Sequence, residues 1–258
     1  MNASLNQAIG IDIGGTGIKG GRVNLDTGEL TSDRVKYATP EGGHPDDILS
    51  VVAQILEDLE ASAREHLGVC VPSVVTHGMT RSAANISPDW IDFAAEETFS
   101  TSLNHTTHFI NDADAAGFAE ARLGAARGIA GMTILTTLGT GIGSALLVDG
   151  DLIPHSELGH LELDGTDVEH RMSNAARERE GLSFAVWGER LTSFYAHLEK
   201  IFSPELFVIG GGISAQHAEF FPYVRISTPL VPAHFLNNAG IVGAALLAAE
   251  HLANAKRI

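Results

Sequence analysis

The chain has 258 residues, 44% hydrophobic and 19% charged, which is enough for one large domain or two lobes with buried cores and too apolar for disorder or a fibrous repeat. Thirty-two acidic against 16 basic side chains give a formal charge of -16, which argues against an electrostatic grip on nucleic acid or an anionic membrane. A single cysteine, Cys70, excludes an internal disulfide and a cysteine-rich zinc site; residues 1–8 lack the features of a signal peptide, and the longest weakly polar stretch, 239–249, is too short to span a bilayer, so the expected location is cytoplasmic.

Strand and helix patterns alternate. Residues 8–13 read as a buried strand running into the turn Gly14-Gly15-Thr16-Gly17, 21–25 as a second strand, and Asp26-Thr27-Gly28 as a hairpin turn. Ile48, Val51, Val52, Ile55, Leu56 and Leu59 predict a helix, with Pro45 and Asp46 at its start and Gly68 beyond its end. Strands are predicted at 69–75 and 107–110, then a short helix from about Asp114, capped by that residue, to Gly124. The second half begins again: a strand at 132–138, the turn Gly139-Thr140-Gly141, a strand at 144–148 and the turn Asp149-Gly150-Asp151. The two Gly-Thr-Gly triplets lie about half a chain apart, which implies two lobes of similar build. A helix capped by Ser183 carries Phe184, Trp187, Leu191, Phe194, Leu198 and Ile201 on one stripe. A strand at 206–209 leads into Gly210-Gly211-Gly212, and a last helix covers 240–255.

Residues 15–20 satisfy GxGxxG after a strand, but a dinucleotide fold needs a helix to begin inside that motif, and here a strand follows. A Walker loop fails because Gly20 follows Lys19. What remains is a tight hairpin whose backbone N–H groups, the Thr16 hydroxyl and Lys19 suit a phosphate. Each glycine loop alone reads equally well as a plain β-turn; the matched pair reads as a clamp on a phosphate chain. Gly210 to Gly212 reads as a turn or a nucleotide platform.

Asn111-Asp112-Ala113-Asp114 follows a strand and opens a helix, the place where open α/β sheets bind ligands. An aspartate there, Asp112, can accept a hydroxyl proton in phosphoryl transfer. Glu157-Leu158-Gly159-His160, with Glu162 and Glu169 beyond, has di-iron spacing but no second copy, and Pro154 and Gly159 break a helix. Its carboxylates and imidazole suit a polyhydroxylated ligand such as a sugar. His77, His105, His108 and His170 read as surface or hydrogen-bonded histidines.

These segments resemble one known family. IGIDIGGTGIKGG, VTHGMTRSAAN, INDADAAGFAEARLGA, LTTLGTGIGSALLVDGDLIP, ELGHLELDG, SPELFVIGGGIS and AGIVGAA are similar, in order and spacing, to the ROK (repressor, open reading frame, kinase) sugar kinases, and most closely to the actinobacterial polyphosphate/ATP-dependent glucokinases and glucomannokinases. The resemblance implies an α/β, two-lobe actin-like (ribonuclease-H-like) fold with a cleft between lobes, the first formed by 1–112 with the helix 241–258 and the second by 113–240. It implies phosphoryl transfer from polyphosphate and/or ATP to the 6-hydroxyl of glucose, and of mannose, with Asp112 as catalytic base. Asn85, Asn111, Glu157, His160 and Glu169 match the sugar-binding set. Asp12, Gly14, Gly15, Thr16 and Lys19 match the first phosphate loop, Gly139, Thr140 and Gly141 the second, and Gly210, Gly211 and Gly212 the segment near adenosine. Mg²⁺ is expected on the donor phosphates near Asp12, and no zinc, since the zinc-binding cysteines of many relatives are missing. Ser73 stands where relatives have glycine and His155 where the subgroup has asparagine, both near the inferred sugar pocket. A homodimer is expected, with neither nucleic acid nor membrane as partner. A non-catalytic sugar sensor of the same fold is the alternative.

Overall fold

The apolar run before the first glycine turn forms β1 (Gln7–Ile13), and the chain returns at once as β2 (Gly17–Asn24), antiparallel from Gln7↔Asn24 to Ile13↔Ile18. The computed structural model describes residues 6–63 and 65–255; residues 1–5, 64 and 256–258 lie outside the described residues, and with them part of the start read as free of a signal and of the stretch assigned to the last helix. The second strand starts at 17 instead of the expected 21, because Ile18 is fully buried and the ladder continues to the tip of the turn. β3 (Val35–Ala38) adds an edge. α1 (Pro45–Asp58) has proline in its first turn beside Asp46 and Asp47, which favour the positive helix end, and it buries Ile48, Val52, Ile55 and Leu56. β4 (Leu67–Val71) stops short of the expected 75 at Pro72, which lacks an N–H for a ladder. A small hairpin, β5 (Val75–Thr76) and β6 (Met79–Thr80), and α2 (Ala95–Leu103) precede β7 (Thr107–Asn111). The sheet order is β3-β2-β1-β4-β7, with β1, β4 and β7 parallel. α3 (Asp112–Leu123) follows without a gap.

The second half repeats this plan. β8 (Met132–Leu138), β9 (Ile142–Val148) and β10 (Asp151–Ile153) form a meander. After the two-residue strands β11 (Glu162–Leu163) and β12 (Thr166–Asp167) come α4 (Glu169–Met172), α5 (Asn174–Arg179) and α6 (Phe184–Phe202). The Ser183 side chain caps α6 by accepting from Val186 N–H, as its sequence predicts. β13 (Leu206–Gly210), α7 (His217–Phe220) and β14 (Leu230–Pro232) complete a sheet of order β10-β9-β8-β13-β14, and α8 (Ala239–Ala255) ends the described chain.

Two compact units result, Met1–Ala115 with Gly240–Ile258, and Ala116–Ala239. In the first, Trp90, Phe99 and Phe109 pack among the isoleucines of β1 and α1. α8 covers the same sheet very closely: Gly10 and Gly68 face the carbonyls of Ile241 and Ala244 with no room for a Cβ. The second unit is built on larger side chains, with Trp187, Phe194, Tyr195, Phe207 and Phe220 all buried. Tyr195 there reaches the hydroxyl of Thr136 on β8 at 2.7 Å, so its buried oxygen is satisfied. No described helix is long and apolar enough to cross a membrane.

Candidate active site

In the first unit the parallel strands carry their acids at one edge. Register sets Asp12 of β1 beside Cys70 of β4, and Cys70 beside Ile110 of β7, one residue before Asn111 and two before Asp112. Ligands of open α/β sheets sit at such carboxyl ends. Burial pushes the Cys70 thiol far up, and the charges of Asp12 and Asp112 push it further; the Asp12 carboxylate and the Cys70 sulfur both lie against Gly240. Lys19, opposite Asp12 on β2, forms an ion pair with it at 2.8 Å. Lys19 is thus a strand residue whose charge already has a partner.

The turn between β1 and β2 is closed by Gly14 N–H on Gly17 O at 3.0 Å, and the Thr39 hydroxyl donates to Gly14 O. Gly15 and Thr16 are exposed at its tip. Asn85, in a left-handed conformation (φ 61°), lies against Gly15, so this predicted sugar residue and the predicted phosphate turn are neighbours. Sequence reasoning missed Lys36 of β3, which pairs across the ladder with Lys19 and lies against Gly17. Two adjacent lysines repel; the Asp12 carboxylate offsets one of them.

Asn111, and not Asp114, caps α3. Its Oδ1 accepts from Ala113 N–H (2.9 Å) and Asp114 N–H (3.0 Å), and its Nδ2 donates to Ser73 O (3.3 Å), leaving one amide hydrogen for a ligand. Asp114 is buried instead. Ala113 N–H also donates to Asp112 Oδ1 at 2.8 Å, which fixes that half-buried carboxylate at the helix start. Ser73 is itself buried, its hydroxyl donating to Val74 O and accepting from Ser82 N–H, so the serine stiffens the loop that holds Asn111.

The second unit gathers the other sugar candidates. Its turn is one residue tighter, with Leu138 opposite Ile142 and Gly139 N–H donating to Gly141 O at 3.0 Å. Thr140 is exposed at the tip. The Ser144 hydroxyl accepts from Leu158 N–H (2.9 Å) and donates to Ser156 O (2.9 Å), tying the Glu157 segment to β9. Gly159 then lies on the Ile142 carbonyl, where no Cβ fits, so residues 158–160 form a 3-10 turn against the glycine loop.

Glu169, the first residue of α4, accepts from Ile142 N–H at 3.3 Å and stands over Gly141. His160 Nδ1 is 3.1 Å from Asp167 and 4.0 Å from Glu169. The hydrogen bond to Asp167 raises the His160 pKa; burial opposes this, and the charges of Glu169 and Glu157 add to it. Glu157 stays accessible, yet the protein crowding its carboxyl raises its pKa, with Glu169 adding and His160 opposing. Glu157, His160 and Glu169 therefore form one cluster beside the second glycine turn. Asp167 was missed; the Asp164-Gly165 pair, a two-residue hairpin signal, sets it opposite Glu162 and near His160.

Gly210 closes β13, and Gly211 has φ 78° with its Cα against the Leu138 backbone. The glycine run therefore lies beside the end of β8, in the same unit as Gly139 to Gly141. His155 is exposed in a left-handed conformation (φ 69°), which asparagine tolerates more readily. Among the described residues no group of three or more His, Cys, Asp or Glu side chains is arranged to hold a metal ion.

The model of the ROK family matches residues 8–181. The chain belongs to the ROK family. A polyphosphate glucokinase of Mycobacterium tuberculosis (strain CDC 1551 / Oshkosh) is 43% identical over 238 residues, 92% of this chain and 89% of that protein. The inorganic polyphosphate/ATP-glucomannokinase of Arthrobacter sp. strain KM superposes with a TM-score of 0.92 at 46% identity, over 95% of this chain and 99% of that one. A ROK glucokinase of Streptomyces griseus, solved with glucose and AMPPNP, shares the fold at a TM-score of 0.81 and 23% identity, over 95% and 100% of the two chains. This ROK protein is accordingly a sugar kinase of hexokinase type with the two-lobe actin-like fold.

Proposed function

We propose that this ROK kinase transfers a phosphoryl group from polyphosphate and/or ATP to the 6-hydroxyl of glucose, and also of mannose, with Asp112 as general base. One observation carries the base assignment: Asp112 is the half-buried carboxylate that directly follows a parallel strand of the sheet, one of its oxygens held by Ala113 N–H. It accepts the hydroxyl proton as the sugar oxygen bonds to phosphorus and the bond to the leaving phosphate breaks. Glu157 and Glu169 accept from sugar hydroxyls, and His160, Asn85 and the remaining amide hydrogen of Asn111 complete the set. The relatives called polyphosphate glucokinase and glucomannokinase support the choice of sugar and donor.

The turns at Gly14, Gly15, Thr16 and at Gly139, Thr140, Gly141 take the donor phosphates, Lys19 and Lys36 standing beside the first, and Gly210 to Gly212 take the adenosine end of ATP. A Mg²⁺ carried by phosphates needs only one or two protein carboxylates. Asp12, 17% exposed beside the first turn, fits that need, and the ion would neutralise charge on the transferring phosphoryl. Of the other cations that a polyphosphate path needs, Arg22 pairs with Glu65 and Arg81 with Asp92. The enzyme acts in the cytoplasm as a homodimer, and light scattering on the purified protein tests the dimer.

A coupled assay with glucose, Mg²⁺ and either ATP or purified polyphosphate at matched phosphoryl concentration tests the proposal. Sugar phosphate formed with at least one donor is the expected result. Tight glucose binding with no product from either would overturn it.

A further inference from the structure

Asp167 has a place in the sugar site that its sequence position does not announce. β11 and β12 pair only as Glu162↔Asp167 and Leu163↔Thr166, around Asp164 (φ 56°) and Gly165 (φ 76°). Val168 N–H donates to Leu161 O at 3.0 Å and extends the ladder to the residue after His160. This hairpin leaves the Asp167 carboxylate 3.1 Å from His160 Nδ1. An ionised carboxylate only accepts, so Nδ1 carries a proton in that pair.

We infer that Asp167 is the positioning residue for His160: it holds Nδ1–H and so turns the Nε2 edge of the ring toward a sugar hydroxyl. The inference rests on the reading of His160 as a sugar ligand. An exposed imidazole, with 60% of its side chain accessible, has several rotamers and two neutral tautomers. Fixing one of each lowers the entropy lost when a sugar binds. The acids facing the ring are Asp167 on β12, Glu169 on α4 and Glu157 before the 3-10 turn; of these, only Asp167 is within hydrogen-bond distance of Nδ1. A pair this exposed adds little to fold stability. Its loss should therefore register in sugar binding and in the state of the ring, with the fold intact.

The test is Asp167→Ala in the full-length protein, read by nitrogen NMR of the histidine ring and by steady-state kinetics with glucose. His160 is expected to lose its fixed Nδ1–H tautomer and to titrate at lower pH. The KM for glucose should rise about tenfold, the order expected when one charge-assisted hydrogen bond is lost, while kcat stays within about twofold. Asp167→Glu should recover part of the KM. An unchanged His160 tautomer and titration in Asp167→Ala, or an unchanged KM, would overturn the inference. His160→Ala separates the underlying reading: if it leaves the glucose KM untouched, His160 is no sugar ligand, and the NMR of Asp167→Ala still decides by itself whether Asp167 sets the ring.

Discussion

The two units share one sheet plan and differ in the charge they carry beside its glycine turn. Each sheet is a three-strand meander flanked by two further parallel strands, and each meander opens with a glycine turn. In the second pair from that turn, the first unit places Asp12 opposite Lys19, while the second places Thr137 opposite Gly143. The first unit thus concentrates charge on rigid strands, with Asp112 two strands away. The second keeps the ends of β8 and β9 neutral and brings its acids in from short elements outside the sheet, Glu157 before a 3-10 turn, Asp167 on the two-residue strand β12 and Glu169 at the start of α4. Strands fix an atom more tightly than loops do. On the proposed roles the first unit carries the base Asp112 and the second the sugar-binding Glu157, His160 and Glu169, so Asp112 variants should lower kcat and variants of that second cluster should raise the sugar KM.

Asp112→Asn tests that division most strongly. It should reduce kcat about 10³-fold, within the range for a lost general base, with glucose affinity by calorimetry nearly unchanged. Comparable losses in both would blur the contrast. Gly68→Ala probes the close packing of α8 on the first sheet: a Cβ against the Ala244 carbonyl should cost about 3 kcal/mol in urea denaturation. An unaltered midpoint would mean that α8 shifts freely on the sheet. Glu157→Gln keeps shape and removes charge; the glucose KM should rise about tenfold with little change in kcat, since a hydrogen bond to a charged group is worth roughly 1.5–3 kcal/mol.

The smallest effect is in pH dependence. Glu157 has a raised pKa, so it protonates, and the glucose KM climbs, at a higher pH than for an ordinary carboxylate near about 4.3. His160, also raised, keeps its second proton above the ordinary imidazole value of about 6.5, so its Nε2 changes from donor to acceptor, and the KM changes with it, only once pH passes that raised value. A KM flat from pH 4 to 9, roughly the span around those two reference values, would remove both groups from sugar binding.

Much of this plan was legible in the chain because buried strands and glycine turns leave strong local signals. The duplicated strand, turn and strand pattern, the α1 stripe and the Ser183 cap all depend on contacts within a few residues. β3 was missed because its edge position leaves three of its four residues, Lys36, Tyr37 and Ala38, exposed, without the alternation of a half-buried strand. α2 buries only Ala95 and Phe99, too few for a periodic stripe. At the site, Asp112 could be chosen from its place after a strand. The roles of Asn111 as cap, Lys19 as partner of Asp12 and Asp167 as partner of His160 depend on ladder register and turn geometry, which residue types alone do not encode.

The docking of α8 on Gly10 and Gly68 also bears on biosynthesis. The second unit is one continuous stretch and can close as soon as it leaves the ribosome. The first unit, although made earlier, lacks the lid over β1 and β4 until residues 240–258 emerge, a delay on the order of 10 s at ordinary translation rates. Nascent chains stalled before residue 240 should be cut by protease in the first unit and spared in the second; equal resistance of the two would show that the open sheet holds without its cover.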